Sequence, residues 1–342
     1  MNPKDHQAAL RDALLIRAGA LSPNSHSCHP LASGFAKCEE NLLRALAESY
    51  CPPAGAGRST PSAVLASGLT NSDFKSSLAA VFKVVTGRTF EVHAGHLKIA
   101  KTIELPNFKV HEVSSIDVDF ALEEIGEGGE ITALSTTEES VGLPAQIRSF
   151  GRTVLLSREL FVNDNINLMA ELFRQAGAAA ARLEAAMVYS LIESNPTLGD
   201  GGPMFHGDHG NVQASALDES SLGAAMGKLR LMKTPSGDPA NLAAAVLVVA
   251  PDLELAAQKM VHQCNLAMAV VGGAWLPLGR WYLAADPELS PCVGLLHLPG
   301  SENGVLVGPS RKKFQQDGVP LFVRLDSGVT ALGRVGIVRG GA

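Results

Sequence analysis

Charge is scarce in this chain. Only 18% of its 342 residues are Asp, Glu, Lys or Arg, against 46% hydrophobic. A free monomer of this length ordinarily shows more charge, so much of the apolar excess calls for cover by partners. The net charge of -6 argues against a dedicated nucleic-acid binder. Cysteine is also sparse. Cys28, Cys38, Cys51, Cys264 and Cys292 are too few and too scattered for a disulfide framework, which fits a reducing compartment. No apolar run approaches a membrane span, and Met1 to Asp12 is polar and charged, unlike a secretory signal. Catalytic signatures are missing as well. No GxSxG, P-loop or GxGxxG stands in a strand–turn–helix context. The GEGGE stretch at 126–130 carries glutamates that would repel phosphate, and no helix opens behind it.

What the chain does have is one long helical stretch, Asp164 to Ser194. Asp164 and Asn165 are N-cap candidates. Leu168, Leu172, Ala176, Ala179, Leu183, Met187 and Leu191 recur at helical spacing and predict the apolar face. Arg174, Arg182 and Glu184 are expected on the flanks. The alanines at 178–181 favour helix and permit close approach of another backbone. Asn195-Pro196 ends it, because proline disfavours helical geometry at the preceding residue.

Residues 1–69 read as an arm, with short helices at 6–17 and 36–50 and Ser-, Pro- and Gly-rich pieces too poor in apolar residues for their own core. His26, Cys28, His29 and Cys38 match no standard zinc spacing. A capped helix starts at 70–73, presents Phe74, Leu78, Val81, Phe82 and Val85, and is expected to end near Gly87. Alternation at 116–122 and 141–147 predicts two strands joined by the acidic tip at 123–131, with a bend near Ser149-Phe150. An isolated hairpin is at best marginally stable, so a neighbouring copy is its natural support. After the long helix come a loop at 197–211, helices at 219–233 and 253–261, strands at 244–250, 281–284 and 293–298, an irregular piece at 262–278, and strands near 321–325 and 329–338.

The best chemical candidates are His206, Asp208 and His209 in FHGDHGN. Two histidines and a carboxylate suit a metal, but neighbouring residues of one loop rarely converge without further ligands. Polar side chains bonding to nearby backbone are the simpler reading. His93 and His96 read as surface or packing residues. The run Arg311-Lys312-Lys313 reads as a solvated turn, with no interleaved aromatics for single-stranded nucleic acid.

The stretches LTNSDFKSSLAAVF (69–82), ALEEIGEGGEI (121–131), FGRTVLLSRELFVND (150–164), AGAAAARLEAAMVYSLIESNPTLGDGGPMFHGDHGN (176–211) and RWYLAADPELSPCVGLLHL (280–298) carry a family resemblance. The chain resembles the major capsid protein of tailed bacteriophages with the HK97 fold, of the kind often encoded as a fusion of prohead protease and capsid protein. The resemblance covers about residues 69–340. With no protease before residue 1, maturation by a separate protease chain is one expectation and a different gene arrangement the other.

The resemblance implies an α+β fold. Its parts are an N-terminal arm (1–69), an extended hairpin or E-loop (101–156), a peripheral domain (70–100, 157–216 and 308–342) holding the spine helix (164–194), and an axial α/β domain (217–307). It implies self-assembly into hexamers and pentamers of an icosahedral shell around double-stranded phage DNA, in a virion assembled in the bacterial cytoplasm. Portal, scaffold, protease and decoration proteins are the further partners. No catalytic residue, cofactor, metal or membrane is expected. The alternatives are an encapsulin-like nanocompartment shell and a metal-dependent hydrolase using the FHGDHGN loop. Some shells of this family join subunits by an isopeptide bond from an E-loop lysine. Here no lysine lies between Asp117 and Phe150. The expected contact residues are instead the acids Asp117, Asp119, Glu123, Glu124, Glu127, Glu130, Glu138 and Glu139, facing Arg311, Lys312, Lys313, Arg324 and Arg334 of a neighbour.

Overall fold

The computed structural model describes residues 3–23, 25, 27–38, 41–50, 71–113, 143–234, 237–311 and 318–341. The chain divides into two units: Met1–His93, Ser149–Arg182 and Gly300–Asp326 form unit 1; Ala94–Arg148, Leu183–Pro299 and Ser327–Ala342 form unit 2. Both mix helix and sheet, so the α+β expectation is met.

Unit 1 is built on helices α1 (Pro3–Arg17), α2 (Ala32–Cys38), α3 (Leu42–Tyr50), α4 (Ser72–His93) and α5 (Arg158–Val162), with the first part of α6 (Ile166–Glu193). Leu10, Leu14, Leu42 and Leu46 are fully buried with Phe74, Phe82, Phe161 and Phe173. The residues expected to be a coreless arm thus place three helices in the core of unit 1. Leu10, Ala13, Leu14 and Leu15 of α1 and Leu42, Leu43, Leu46 and Ala47 of α3 bury in a core that other segments of unit 1 complete. Phe82 of α4 stacks on Phe173 of α6, with ring centroids 4.2 Å apart. Helix α4 also runs past Gly87 to His93, because Phe90 is another fully buried anchor. Strand β4 (Arg148–Ser157) and strand β10 (Val305–Pro309) pair with the first part of β11 (Gly318–Ala331). In the antiparallel β10–β11 pair, Val305 lies opposite Leu325 and Pro309 opposite Leu321.

The long helix is present as α6, 28 residues and so about 42 Å. Of the two N-cap candidates, Asn165 directly precedes the helix and Asp164 does not. Asp164 sits at φ 48°, before the helix, and Asn165 supplies the first carbonyl, bonded by the Met169 amide at 3.1 Å. Asp164 instead ties in the N-terminal segment: its carboxylate accepts from Arg17 at 3.1 Å and from the Leu43 amide at 3.3 Å. The buried face is also rotated from the predicted one. Leu168 is 52% and Leu172 37% exposed, while Met169, Phe173, Ala181, Val188 and Ile192 are fully buried. Two apolar stripes compete on this helix, and the one carrying the aromatics Phe173 and Tyr189 buries more area.

Unit 2 centres on a five-stranded sheet in the order β5-β12-β8-β6-β7. These strands are β5 (Val212–Gln213), β6 (Val246–Val249), β7 (Ala269–Gly272), β8 (Trp281–Ala284) and β12 (Ile337–Gly340). Both faces are covered. Leu247, Val249, Trp281, Leu283 and Val338 pack with α7 (Glu219–Leu231) and α8 (Glu254–Gln263). Val248, Tyr282, Ala284 and Ile337 share a second core with Val188, Tyr189 and Ile192 of α6. Burial on two faces explains the uninterrupted apolar run at 244–250. Asp218 caps α7 by accepting from the Ser221 amide at 2.6 Å. Strand β7 falls inside the stretch expected to be irregular; parallel pairing with β6 organises it. Within 308–342, the stretch that the resemblance places in the peripheral part, β12 lies in this sheet, antiparallel to β8. The remaining strands of unit 2 are β1 (Lys101–Glu104), β2 (His111–Glu112), β3 (Pro144–Ala145) and β9 (Val293–His297). β1 pairs parallel with β9, the end of β11 pairs antiparallel with β9, and β2 pairs with β3.

Candidate functional site

The FHGDHGN loop is held by two asparagines. Asn195 accepts from the Phe205 amide at 2.7 Å and donates to the Phe205 carbonyl at 3.1 Å. Asn211, 1% exposed, accepts from the His206 amide at 3.0 Å and donates to the Met204 carbonyl at 2.7 Å. Phe205 is thereby driven into the core against Tyr282. The charged members turn to local partners. His206 Nδ1 lies 3.2 Å from Asp208 Oδ2, on the exposed side. His209 Nε2 accepts from Arg334 at 2.7 Å, and Arg334 also forms an ion pair with Asp200. Burial, then the Arg334 guanidinium, holds the His209 pKa below its usual value. Burial opposes ionisation of Asp200, but bonds from the Gly202 amide and Arg334 outweigh it and lower its pKa. An imidazole that accepts from arginine and a carboxylate already engaged by it form a stitched loop. Among the described residues no group of three metal-ligating side chains converges.

The expected contact residues divide. Asp117, Asp119, Glu123, Glu124, Glu127, Glu130, Glu138 and Glu139 lie outside the described residues, as do Lys312 and Lys313. Arg311 is exposed. Arg324 is about half exposed, pairs with buried Asp326 at 3.0 Å, and lies over the Phe322 ring. Arg334 is drawn inward by Asp200 and His209, its side chain only 15% exposed. Among the described residues no helix is long and apolar enough to cross a membrane.

One polar cluster was not legible as such. Glu184, expected on a flank of the long helix, is fully buried, and so is His96. Glu184 Oε2 lies 3.1 Å from His96 Nε2, and Oε1 lies 2.7 Å from His297 Nε2. The available signal was register: Glu184 falls in line with Ala181, Val188 and Ile192, the stripe that the core selects.

Comparison with known proteins supplies the context. The sequence matches the phage capsid protein family over residues 140–340, more than half of the chain. Among curated proteins, none matches significantly. Similar solved structures include a virus-like particle from Pyrococcus furiosus, 12% identical over 75% of this chain and 96% of that one, with a TM-score of 0.47. The capsid of cyanophage P-SCSP1u is 10% identical over 72% and 87%, with a TM-score of 0.45. Mycobacterium phage Patience is 14% identical over 77% and 88%, with a TM-score of 0.41. The assignment rests on the sequence match, which takes in β4, the long helix and both faces of the five-stranded sheet. The chain belongs to the phage capsid protein family.

Proposed function

We propose that the chain is the major capsid protein that builds a phage head with the HK97-like fold. The family match over residues 140–340 carries this reading. Copies join as hexamers and pentamers of an icosahedral shell around packaged double-stranded DNA, assembled in the bacterial cytoplasm with portal, scaffold, protease and decoration proteins. Its role is structural. Large apolar side chains left in water support self-association, among them Leu168 and Leu172 in unit 1 and Leu278 and Leu289, each 78% exposed, in unit 2. The acids at 117–139 lie over a neighbour's basic surface formed by Arg311, Lys312, Lys313 and Arg324; Arg334 contributes less, being engaged within its own unit. Single exposed pairs contribute about 0–1 kcal/mol, so apolar burial supplies most of the adhesion.

Negative-stain microscopy of the purified full chain tests this directly. Rings or closed thin-walled particles are expected. A compact monomer at every concentration would overturn it. Closed particles whose native cargo is an enzyme rather than DNA would favour the nanocompartment reading.

A further inference from the structure

A carboxylate bridging two imidazoles is a costly thing to bury, because ions leave water unwillingly and only good geometry offsets that. The geometry at Glu184 is good: each carboxylate oxygen has its own Nε2 partner, at 3.1 Å from His96 and 2.7 Å from His297. The side chains of His96 and Glu184 have no exposure, and that of His297 has 3%. The three residues come from separate elements of unit 2, the 3-10 turn Gly95–Lys98, helix α6 and strand β9.

Their positions along the chain are not scattered. The chain passes between the two units five times, after His93, Arg148, Arg182, Pro299 and Asp326. His96 is the third residue after the first of these points, and Glu184 the second after the third. His297 is the third residue from the end of its segment. Ser327, fully buried and directly opposite His297 in the β9–β11 pair, opens the last segment. One cluster thus joins three segments of unit 2 that are far apart along the chain.

We propose that the His96–Glu184–His297 cluster is an acid-sensitive clasp within unit 2, holding the turn 95–98, helix α6 and strand β9 together while Glu184 is ionised and releasing them when it takes a proton. An ionised carboxylate only accepts, which matches two N–H donors. A protonated carboxyl sets an O–H against one of those N–H groups and loses that bond. The bond is lost in an apolar core that includes Ala185, Val188 and Leu295. From the packed elements, the titratable groups facing Glu184 are His96 on the turn and His297 on β9; the long strand presents uncharged Ser327. On α6 itself Arg182 is exposed, and Asp326 is engaged by Arg324 and Ser149 within unit 1. Burial raises the Glu184 pKa, but the bonds from His297 and His96 outweigh it and leave it below its ordinary 4.5. The sign follows. A depressed carboxyl contributes stability that is full above its unfolded pKa and fades as pH falls through the lower folded value. The clasp therefore holds at neutral pH and opens below 4.5.

Both tryptophans, Trp275 and Trp281, belong to unit 2, so fluorescence of the full chain reports on that unit alone. Titrated downward from neutral pH, the wild type is expected to show a step below pH 4.5. Hydrogen exchange at residues 94–98 and 295–299, corrected for intrinsic rate, is expected to rise in the same step. Glu184→Gln, a neutral isostere, is expected to abolish the step or move its midpoint by more than one pH unit, on the order of tenfold in proton affinity. His297→Gln removes the shorter bond and is expected to raise the midpoint. Superimposable titrations of wild type and Glu184→Gln would overturn the proposal, as would protection of 94–98 and 295–299 retained through the step. Should Glu184→Gln not fold, an unmoved midpoint in His297→Gln overturns it equally. The outcome is independent of whether the chain forms shells.

Discussion

Replacing Gly177 by alanine ought to help a helix, and the structure says it will harm this one. Alanine is favoured over glycine in a helix interior by about 1 kcal/mol. Against that, a Cβ built on Gly177 would lie 2.3 Å from the carbonyl oxygen of Thr86 and 3.2 Å from the Phe90 amide nitrogen. Thr86 and Phe90 are backbone inside α4, so no side chain can swing aside, and α4 and α6 must separate by roughly 1 Å to restore van der Waals contact. That movement loosens the Phe82–Phe173 stack, four residues earlier on each helix and closed now at 4.2 Å. Overpacking of this kind costs about 1–3 kcal/mol and occasionally more, so Gly177→Ala is expected to destabilise unit 1 by about 1–2 kcal/mol net. Gly87 is the internal control. It is also inside a helix, with nothing within 4 Å of a built Cβ, and Gly87→Ala is expected to stabilise by about 0.5–1 kcal/mol. Denaturant unfolding of the full chain, followed by far-ultraviolet circular dichroism, measures both. A Gly177→Ala midpoint equal to or above that of the wild type would refute the close approach of the two helices.

Three further outcomes are expected. Ala180→Pro removes a donor from the middle of α6 and clashes with the preceding turn, at about 3 kcal/mol or more; soluble, assembly-competent protein should be lost, which sedimentation of the expressed chain will show. Asn211→Ala removes a buried side chain that bonds the Met204 carbonyl and the His206 amide, and a loss of about 1–2 kcal/mol in thermal or chemical unfolding is expected, with no bound zinc to lose from the wild type by elemental analysis. Mature particles should run on a boiled, reducing gel as one band near the 35.7 kDa chain mass, since 117–150 holds no lysine to crosslink. Intact particles should also loosen as salt screens the charged contacts; a covalent ladder would count against both statements.

The local elements were largely legible. The α6 helix, the α4 start, the 219 helix and the buried strand at 246–249 all announce themselves through spacing and, for α4 and α6, caps, which act within a few residues. The reading of FHGDHGN as a stitched loop also came from its own composition, though its partners Asn195 and Arg334 did not. Tertiary structure decided the rest. Leu168 or Met169 is an equally good first member of a helical stripe, and the choice was made by Phe82 meeting Phe173. The N-terminal helices looked coreless because their core belongs mostly to other segments. The sheet partner of the last strand, β8, is supplied by hydrogen bonds across more than 50 residues of chain and not by local sequence. Above all, Glu184 carries the same side chain as any solvated helix glutamate. Only the arrival of His96, 88 residues before it, and His297, 113 residues after it, makes it a buried bridge. Periodicity is set by neighbours along the chain and can be read there; burial of a charge depends on partners brought from far away, and only the fold supplies them.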